Sequence, residues 1–352
     1  MKLLSSLAAL SCSLVASSSA VAQPRSADLN AYILKAVADT YAEYKGRGYD
    51  ADAAYSHDLQ YGHECCIKAT RPPVTMCVAA VAEVIVRALS DYAKATGDYS
   101  PFTKLPMSTW SRGGVLDFRA HAFKQTYVGT DGKEHQVNYG FGGAVKTFGI
   151  GKEIRFSELR PGDLVTFNRT KTGHAVVFLG YLDQNGKILS SFGSTVAGFK
   201  FFSAQGKGKP DAGFGYRYGF FGNHCPSLDG GRVVDCGIRK SDDQSILNTA
   251  YLLAPSKWTT KEAFAQLVRR FGPIALTQSR YRRKLAEAAL ASAQAQADIA
   301  SLKQKVEYWK TAERVAAGGP GVAGVSLTEE QRRRPFEAIA VGSAPAGYWD
   351  EP

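Results

Sequence analysis

Five short apolar runs, grouped after two helical stretches instead of alternating with them, constrain this chain more than any other feature. The runs are Asp163 to Phe167, Ala175 to Tyr181, Ile188 to Phe192, Phe199 to Ala204 and Phe214 to Phe221, each bounded by turn residues. Short Val/Phe/Tyr-rich segments between Gly, Pro, Asp and Asn read as strands. Strands that follow helices without interleaving cannot build the crossover units of a parallel sheet, so the expected class is α+β with an antiparallel sheet. The helices come first. Leu29, Ile33, Leu34, Val37 and Tyr41 predict a helix over 27–45, and Val78, Val81, Ile85, Leu89 and Tyr92 predict another that stops near Gly97. Residues 98–153 are Gly- and aromatic-rich and read as loops with short pieces of structure.

The first 22 residues have a basic start at Lys2, an apolar stretch and small residues ending Ala20-Val21-Ala22. That pattern is a secretory signal peptide cleaved after Ala22, and it places the mature chain in the periplasm or outside the cell. The stretch is too short for a membrane span, so no integral membrane segment is expected after cleavage. The organisation that follows is a 1–22 signal, a 23–255 α+β domain, a 256–316 helical arm and a 317–352 tail rich in Gly, Pro and Ala. In the arm, Tyr281, Leu285, Ala288, Ser292, Ala295, Ile299, Leu302, Val306 and Trp309 step by four and three. This is a weak coiled-coil seam over 277–316, fit for weak self-association. The 43 Lys+Arg against 32 Asp+Glu give a net charge of +11. Fifteen basic and seven acidic residues fall between Lys257 and Arg334, so the surplus belongs mostly to the arm. Export makes an anionic cell-wall polymer the expected partner, and not nucleic acid.

Removal of Cys12 with the signal leaves Cys65, Cys66, Cys77, Cys225 and Cys236, an odd number. In an exported chain at least one thiol then stays outside intramolecular pairing. Cys225 and Cys236 flank a polar loop and suit a local disulfide, while Cys65 or Cys66 is expected to bridge elsewhere. Cys77 stands at a predicted helix start, with Thr75 placed to cap it. There the dipole and exposed N–H groups favour the thiolate, the nucleophilic form. His174 opens the strand that follows Leu-Arg-Pro-Gly-Asp-Leu-Val-Thr-Phe, where an imidazole can serve as general base. Asp163, in the Pro-Gly-Asp turn, reads as a structural carboxylate that fixes the start of the strand.

A Cys at a helix start, then Pro-Gly-Asp-Leu-Val, then Gly-His before a β-run ending in Leu-Gly resembles the NlpC-type and CHAP (cysteine, histidine-dependent amidohydrolase/peptidase) cell-wall peptidases. The likeness spans roughly 60–222 and is most specific over 159–181. It implies a papain-like fold, with the Cys helix packed on an antiparallel sheet carrying the His. It also implies a thiol hydrolase that cleaves an amide bond in peptidoglycan stem peptides without metal or other cofactor. Cys77 would be nucleophile and His174 general base. A polar residue on a following strand would orient the imidazole, for which Gln205 suits better than Ser191 or Ser203. His174 follows Cys77 by 97 residues, which makes 98–153 an insertion.

Other residues weigh less. A metal site of His63, Cys65 and Cys66 is the alternative near the N-terminal end, but adjacent cysteines do not readily both reach one tetrahedral ion. His57 lies near Glu64, Cys65 and Cys66, whereas His121, His135 and His224 lack a recognisable partner in the sequence, and Trp110 and Tyr61 read as core or surface. The competing function is a non-catalytic envelope-binding or scaffold protein that keeps the same fold.

Overall fold

Ala175, Val177, Val176 and Phe178 sit on one strand, all fully buried. The computed structural model describes residues 28–111, 116–128, 134–168, 173–223, 226–230 and 232–270, with isolated helical positions at 287, 303, 306, 307 and 310. The segment expected to be a signal peptide, Cys225, His224, most of the expected arm and the tail lie outside them. In chain order the elements are α1 (Asn30–Tyr44), β1 (Leu59–Tyr61), β2 (Glu64–Ile67), α2 (Cys77–Thr96), α3 (Ser100–Lys104), α4 (Ser108–Ser111) and α5 (Phe118–His121). They continue with β3 (Lys124–Val128), β4 (Glu134–Tyr139), α6 (Phe141–Thr147), β5 (Gly151–Glu153), β6 (Leu164–Asn168), β7 (Gly173–Leu182) and β8 (Ile188–Leu189). The rest are β9 (Gly198–Gln205), β10 (Gly213–Phe221), β11 (Val234–Ile238) and β12 (Leu247–Leu252), followed by a helix over 260–270.

The main sheet has the order β11-β10-β9-β7-β6-β12-β5, with β8 paired beside β7. The chain is α+β, but the sheet is mixed, because β11 runs parallel to β10 while the other pairs are antiparallel. The antiparallel expectation is corrected at that edge. Its physical cause is the long return after β10, which a hairpin turn would not need.

Period-two alternation divides the sheet's side chains between two cores. On one face Leu164, Ala175, Val177, Phe202 and Ala204 pack with α1, α2 and α6. On the other Val165, Phe167, Val176, Phe178, Phe199 and Phe201 pack with Phe156, Val196 and Ile238. Burial on both faces explains why β6 and β7 read as continuous apolar runs. Helix α2 supplies a nearly all-apolar stretch and stops at Gly97, whose φ of 73° is the left-handed cap that glycine adopts without strain.

Smaller pieces follow their sequence. Trp110 and Tyr61 are both buried, with the indole Nε1 donating to the Tyr61 hydroxyl at 2.8 Å and that hydroxyl donating to the Leu105 carbonyl. Cys65 and Cys66 bond to each other on β2, so neither bridges elsewhere. Cys236 is also disulfide-bonded, although Cys225 lies outside the described residues. The core runs past the expected boundary at 255, since Trp258 and Leu267 are buried against the helix-side cluster.

Asp163 holds the first helix to the sheet. From the turn before β6 its carboxylate accepts from the Arg160 backbone N–H at 2.7 Å and from Asn30 Nδ2, at the start of α1, at 2.8 Å. Asp163→Ala leaves the Arg160 N–H without its acceptor and Asn30 Nδ2 with the Pro161 carbonyl alone. Urea unfolding is expected to show a loss of about 1–3 kcal/mol with an unchanged m-value. A stability within a few tenths of a kcal/mol of the parent chain would show that the turn holds without the carboxylate.

Candidate functional site

Cys77 is the first residue of α2. Met76 is the cap residue, with extended φ and ψ of −126° and 167° and no side-chain bond to the helix. Thr75 does not cap as expected, because its hydroxyl is spent on the Ala54 carbonyl (3.2 Å) and on Glu83 Oε1 (2.8 Å). Cys77 is 5% exposed and belongs to the core between the helices and the sheet.

His174 belongs to the other side. It pairs across the ladder with Phe167, and its ring lies 5.2 Å from that of Phe167 and 5.9 Å from that of Phe201. Both phenyl rings are in the cluster facing away from α2. Its neighbour Ala175 faces α2 instead. The sheet therefore separates Cys77 from His174. A general base must come within about 3 Å of the proton it takes, directly or through one water. The expected Cys77–His174 pair is not formed, and β7 enters the sheet one residue out of the phase it would require.

Gln205 does join His174. It closes β9 on the same face, and both line a recess of about 170 Å³ at the end of the sheet. Arg217 on β10, Lys207, Lys209 and Asp211 in the β9–β10 turn, and Asp235 on β11 complete the polar lining. Of the alternatives to Gln205, Ser203 is buried with its hydroxyl donating to the Ala175 carbonyl at 2.6 Å, and Ser191 is exposed beyond β8. Arg217 is 4% exposed. Its Nη2 meets Asp211 Oδ2 at 3.1 Å, and burial draws its pKa below the ordinary guanidinium range. Among the described residues, Arg217 Nε and Gln205 Oε1 are buried with no hydrogen-bond partner, a state shared outside the recess by Asn30 Oδ1 and Asn168 Oδ1.

Two polar groupings have no counterpart in the sequence-based expectations. The first is a buried imidazole–amide pair on the helix side, His121 Nδ1 and Asn138 Nδ2, 2.9 Å apart. The second centres on Glu83, whose carboxylate accepts from the Ser56 backbone N–H (2.9 Å), the Ser56 hydroxyl (2.6 Å) and Thr75. His57 stands 3.6 Å from Glu83 and stacks on Tyr44 at the rim of a recess of about 200 Å³. The sequence does carry a signal for the second. Glu83 is the only charged residue from Cys77 to Val86, and an acid amid a buried helical stretch needs internal donors. His121 gives no comparable sign, because Asn138 reaches it from a different element. His63 stacks on Tyr99 at 4.3 Å, and the sulfurs of Cys65 and Cys66 are committed to their mutual bond instead of to a metal.

No protein-family profile, curated protein or solved structure matches the chain.

Burial pushes the Glu83 carboxyl up to about 7 from an ordinary 4.5, against hydrogen bonds that favour the ionised form. A folded pKa above the unfolded one means that the folded state holds the proton more tightly. Its contribution is full below pH 4.5 and is lost as pH rises through 7. At roughly 1.4 kcal/mol for each tenfold difference in proton affinity, ionising Glu83 is expected to cost about 3 kcal/mol of stability between pH 4 and pH 8. Denaturant titrations across that window should show the loss, and Glu83→Gln should flatten it. An equal slope in both proteins would place the titration elsewhere.

Proposed function

We propose that this chain is an exported envelope-binding protein built on a papain-like scaffold, and that it holds an anionic cell-wall polymer without hydrolysing it through a Cys77–His174 pair. The observation that carries this reading is the position of those two residues on opposite faces of one sheet. The resemblance over 159–181 and the signal-like start support export and a wall partner. The net charge of +11 supports retention on an anionic polymer. No helix among the described residues is long and apolar enough to cross a membrane.

A second reading keeps the thiol hydrolase and changes its base. Cys77 opens a helix of 20 residues, where the dipole favours a thiolate. The His121–Asn138 pair lies on the same side of the sheet, with His121 packed on Phe148 of the helix-side core. Helix α5, which carries His121, lays Arg119 over the Tyr55 ring at 4.7 Å, and the neighbouring Ala54 carbonyl accepts from Thr75, two residues before α2. A cysteine hydrolase with His as base and Asn as orienter needs those three residue types.

One experiment separates the two. Purified full-length protein is incubated with whole peptidoglycan, and the bound protein and the released fragments are both measured, the latter by mass spectrometry. The binding reading expects sedimentation with the polymer that weakens as salt rises, no released fragments, and the same behaviour from Cys77→Ala. Fragment release that disappears in Cys77→Ala and in His121→Ala, but persists in His174→Ala, would replace it with the second reading. Release lost in His174→Ala as well, with the fold intact, would restore the Cys77–His174 pair.

A further inference from the structure

The polar groups of the outer recess differ in one respect from most buried polar groups of this fold. A buried donor or acceptor is normally satisfied, because leaving it bare costs free energy comparable to a lost hydrogen bond. Glu83 and Asp163 obey this rule through Ser56, Thr75, Arg160 and Asn30. In the recess a donor, Arg217 Nε, and an acceptor, Gln205 Oε1, are buried and unmatched, although the rest of the Arg217 guanidinium is engaged. Its Nη1 donates to the Tyr216 carbonyl at 3.2 Å, and its Nη2 donates to the Asp211 carbonyl at 3.2 Å. Asp211 also balances its charge at 3.1 Å. Arg217 therefore offers one directed N–H more than it offers a bare positive charge.

A single ligand group that meets both atoms must accept and donate at once. A lone carboxylate or phosphate satisfies the arginine and leaves Gln205 Oε1 facing an anion. A peptide unit has a carbonyl and an N–H and satisfies both. The other walls extend the match. Lys207 and Lys209 carry positive charge on the exposed turn, and Val233 and Val234 form an apolar side. Asp235, on the β11 wall, disfavours an anion beside it, whereas the charge of Asp211 on the β9–β10 turn is balanced by Arg217, which leaves the two lysines of that turn as the place for a carboxylate. The recess is small, which restricts the side chain that enters it.

We infer that the recess binds the C-terminal end of a short peptide with small side chains. One peptide unit bridges Arg217 Nε and Gln205 Oε1. The terminal carboxylate lies toward Lys207 and Lys209, and a methyl-sized side chain rests on Val233 and Val234. This rests on the reading of the chain as an envelope binder, and it names the feature of the polymer that is held.

Calorimetric titration of the full-length protein tests it with three soluble probes in both L and D series. They are acetyl-Ala-Ala, its C-terminal amide, and the analogue in which the last peptide N–H is replaced by an ester oxygen. Acetyl-Ala-Ala of one series is expected to bind saturably and more weakly as salt rises. The amide loses the lysine contacts, and the ester leaves Gln205 Oε1 opposite an oxygen. Each should bind about tenfold more weakly, the scale of one hydrogen bond to a buried group. Gln205→Met should bind the peptide and the ester alike. Arg217→Lys, checked for its fold by circular dichroism and thermal unfolding, should weaken all three probes together. Equal affinity of ester and peptide in the parent protein, an unaltered preference in Gln205→Met, or no saturable binding of any probe would each overturn the inference. If the protein sediments with whole peptidoglycan while the probes fail, the recess assignment falls and the envelope-binding reading stands. Probe binding without sedimentation would have the opposite meaning.

Discussion

The phase of β7 within the sheet decides which chemistry can meet which. Because β6, β7 and β9 are buried on both faces, a shift of one residue would leave each strand just as apolar and exchange every side chain between two cores. Volume is what distinguishes the two where β7 meets α2. Helix α2 presents Ala79, Ala80, Ala82 and Ala88 among its buried residues, and the small Ala175 and Ala204 lie on the helix side of the sheet. The outer core collects Phe156, Phe167, Phe178, Phe199 and Phe201. Turning β7 over would bring Phe178 toward the α2 layer and withdraw it from an aromatic cluster whose rings stand 4.8 to 6.3 Å from it. A well-packed interior accepts neither the overfilled layer nor the cavity left behind. His174, joined to this strand, follows the phenyl rings outward and away from Cys77.

That packing logic also explains which parts of the molecule were legible in its sequence. Helices α1 and α2 announce themselves by 3.6-residue spacing and by the glycine at 97, and β6, β7, β9 and β10 by apolar runs between turns. The edge strand β11 is half-buried along most of its length. It has the mixed composition of a loop, and its parallel pairing with β10 leaves no local mark. The hairpin of β1 and β2 holds Glu64, Cys65 and Cys66 in a segment that reads as punctuation. The identity of His174 and Gln205 as neighbours on one face was readable, because both terminate strands at the same end of the sheet. The face itself was not. A continuous apolar run carries no phase, so the run that starts at Ala175 put His174 at the opening of its strand and gave no purchase on where the side chain points.

The buried polar groups divide into those that hold the fold and those that leave something unspent. Asn248 binds the Gly143 backbone N–H at 3.0 Å through Oδ1 and reaches Glu153 and Gln244 through Nδ2, tying α6 to the far edge of the sheet. Glu83 ties the 50–75 segment to α2 in the same way, at the cost of a carboxyl that resists ionisation. Each such group has partners drawn from elements distant in sequence, and each serves to fix one element against another. The recess groups sit at the open end of the sheet, where the β9–β10 turn and the start of β11 leave a gap between them.

The gap is maintained by the residues around Arg217. Gly215 precedes it by two positions on the same face of β10 and pairs with Ser203 across the ladder. Any Cβ at 215 would collide with Nη1 of Arg217, so the guanidinium can lie back along its own strand only because that position is bare. Ser203, opposite, turns its hydroxyl into the Ala175 carbonyl and does not compete for the arginine. With its Nη atoms occupied by Tyr216 and Asp211, the side chain is fixed from one end, and the unmatched Nε becomes a property of the strand itself instead of a chance of rotamer. A site built this way keeps its geometry before a ligand arrives. Preorganisation of that kind lets one directed N–H and one amide oxygen discriminate between ligands without the help of a large buried area.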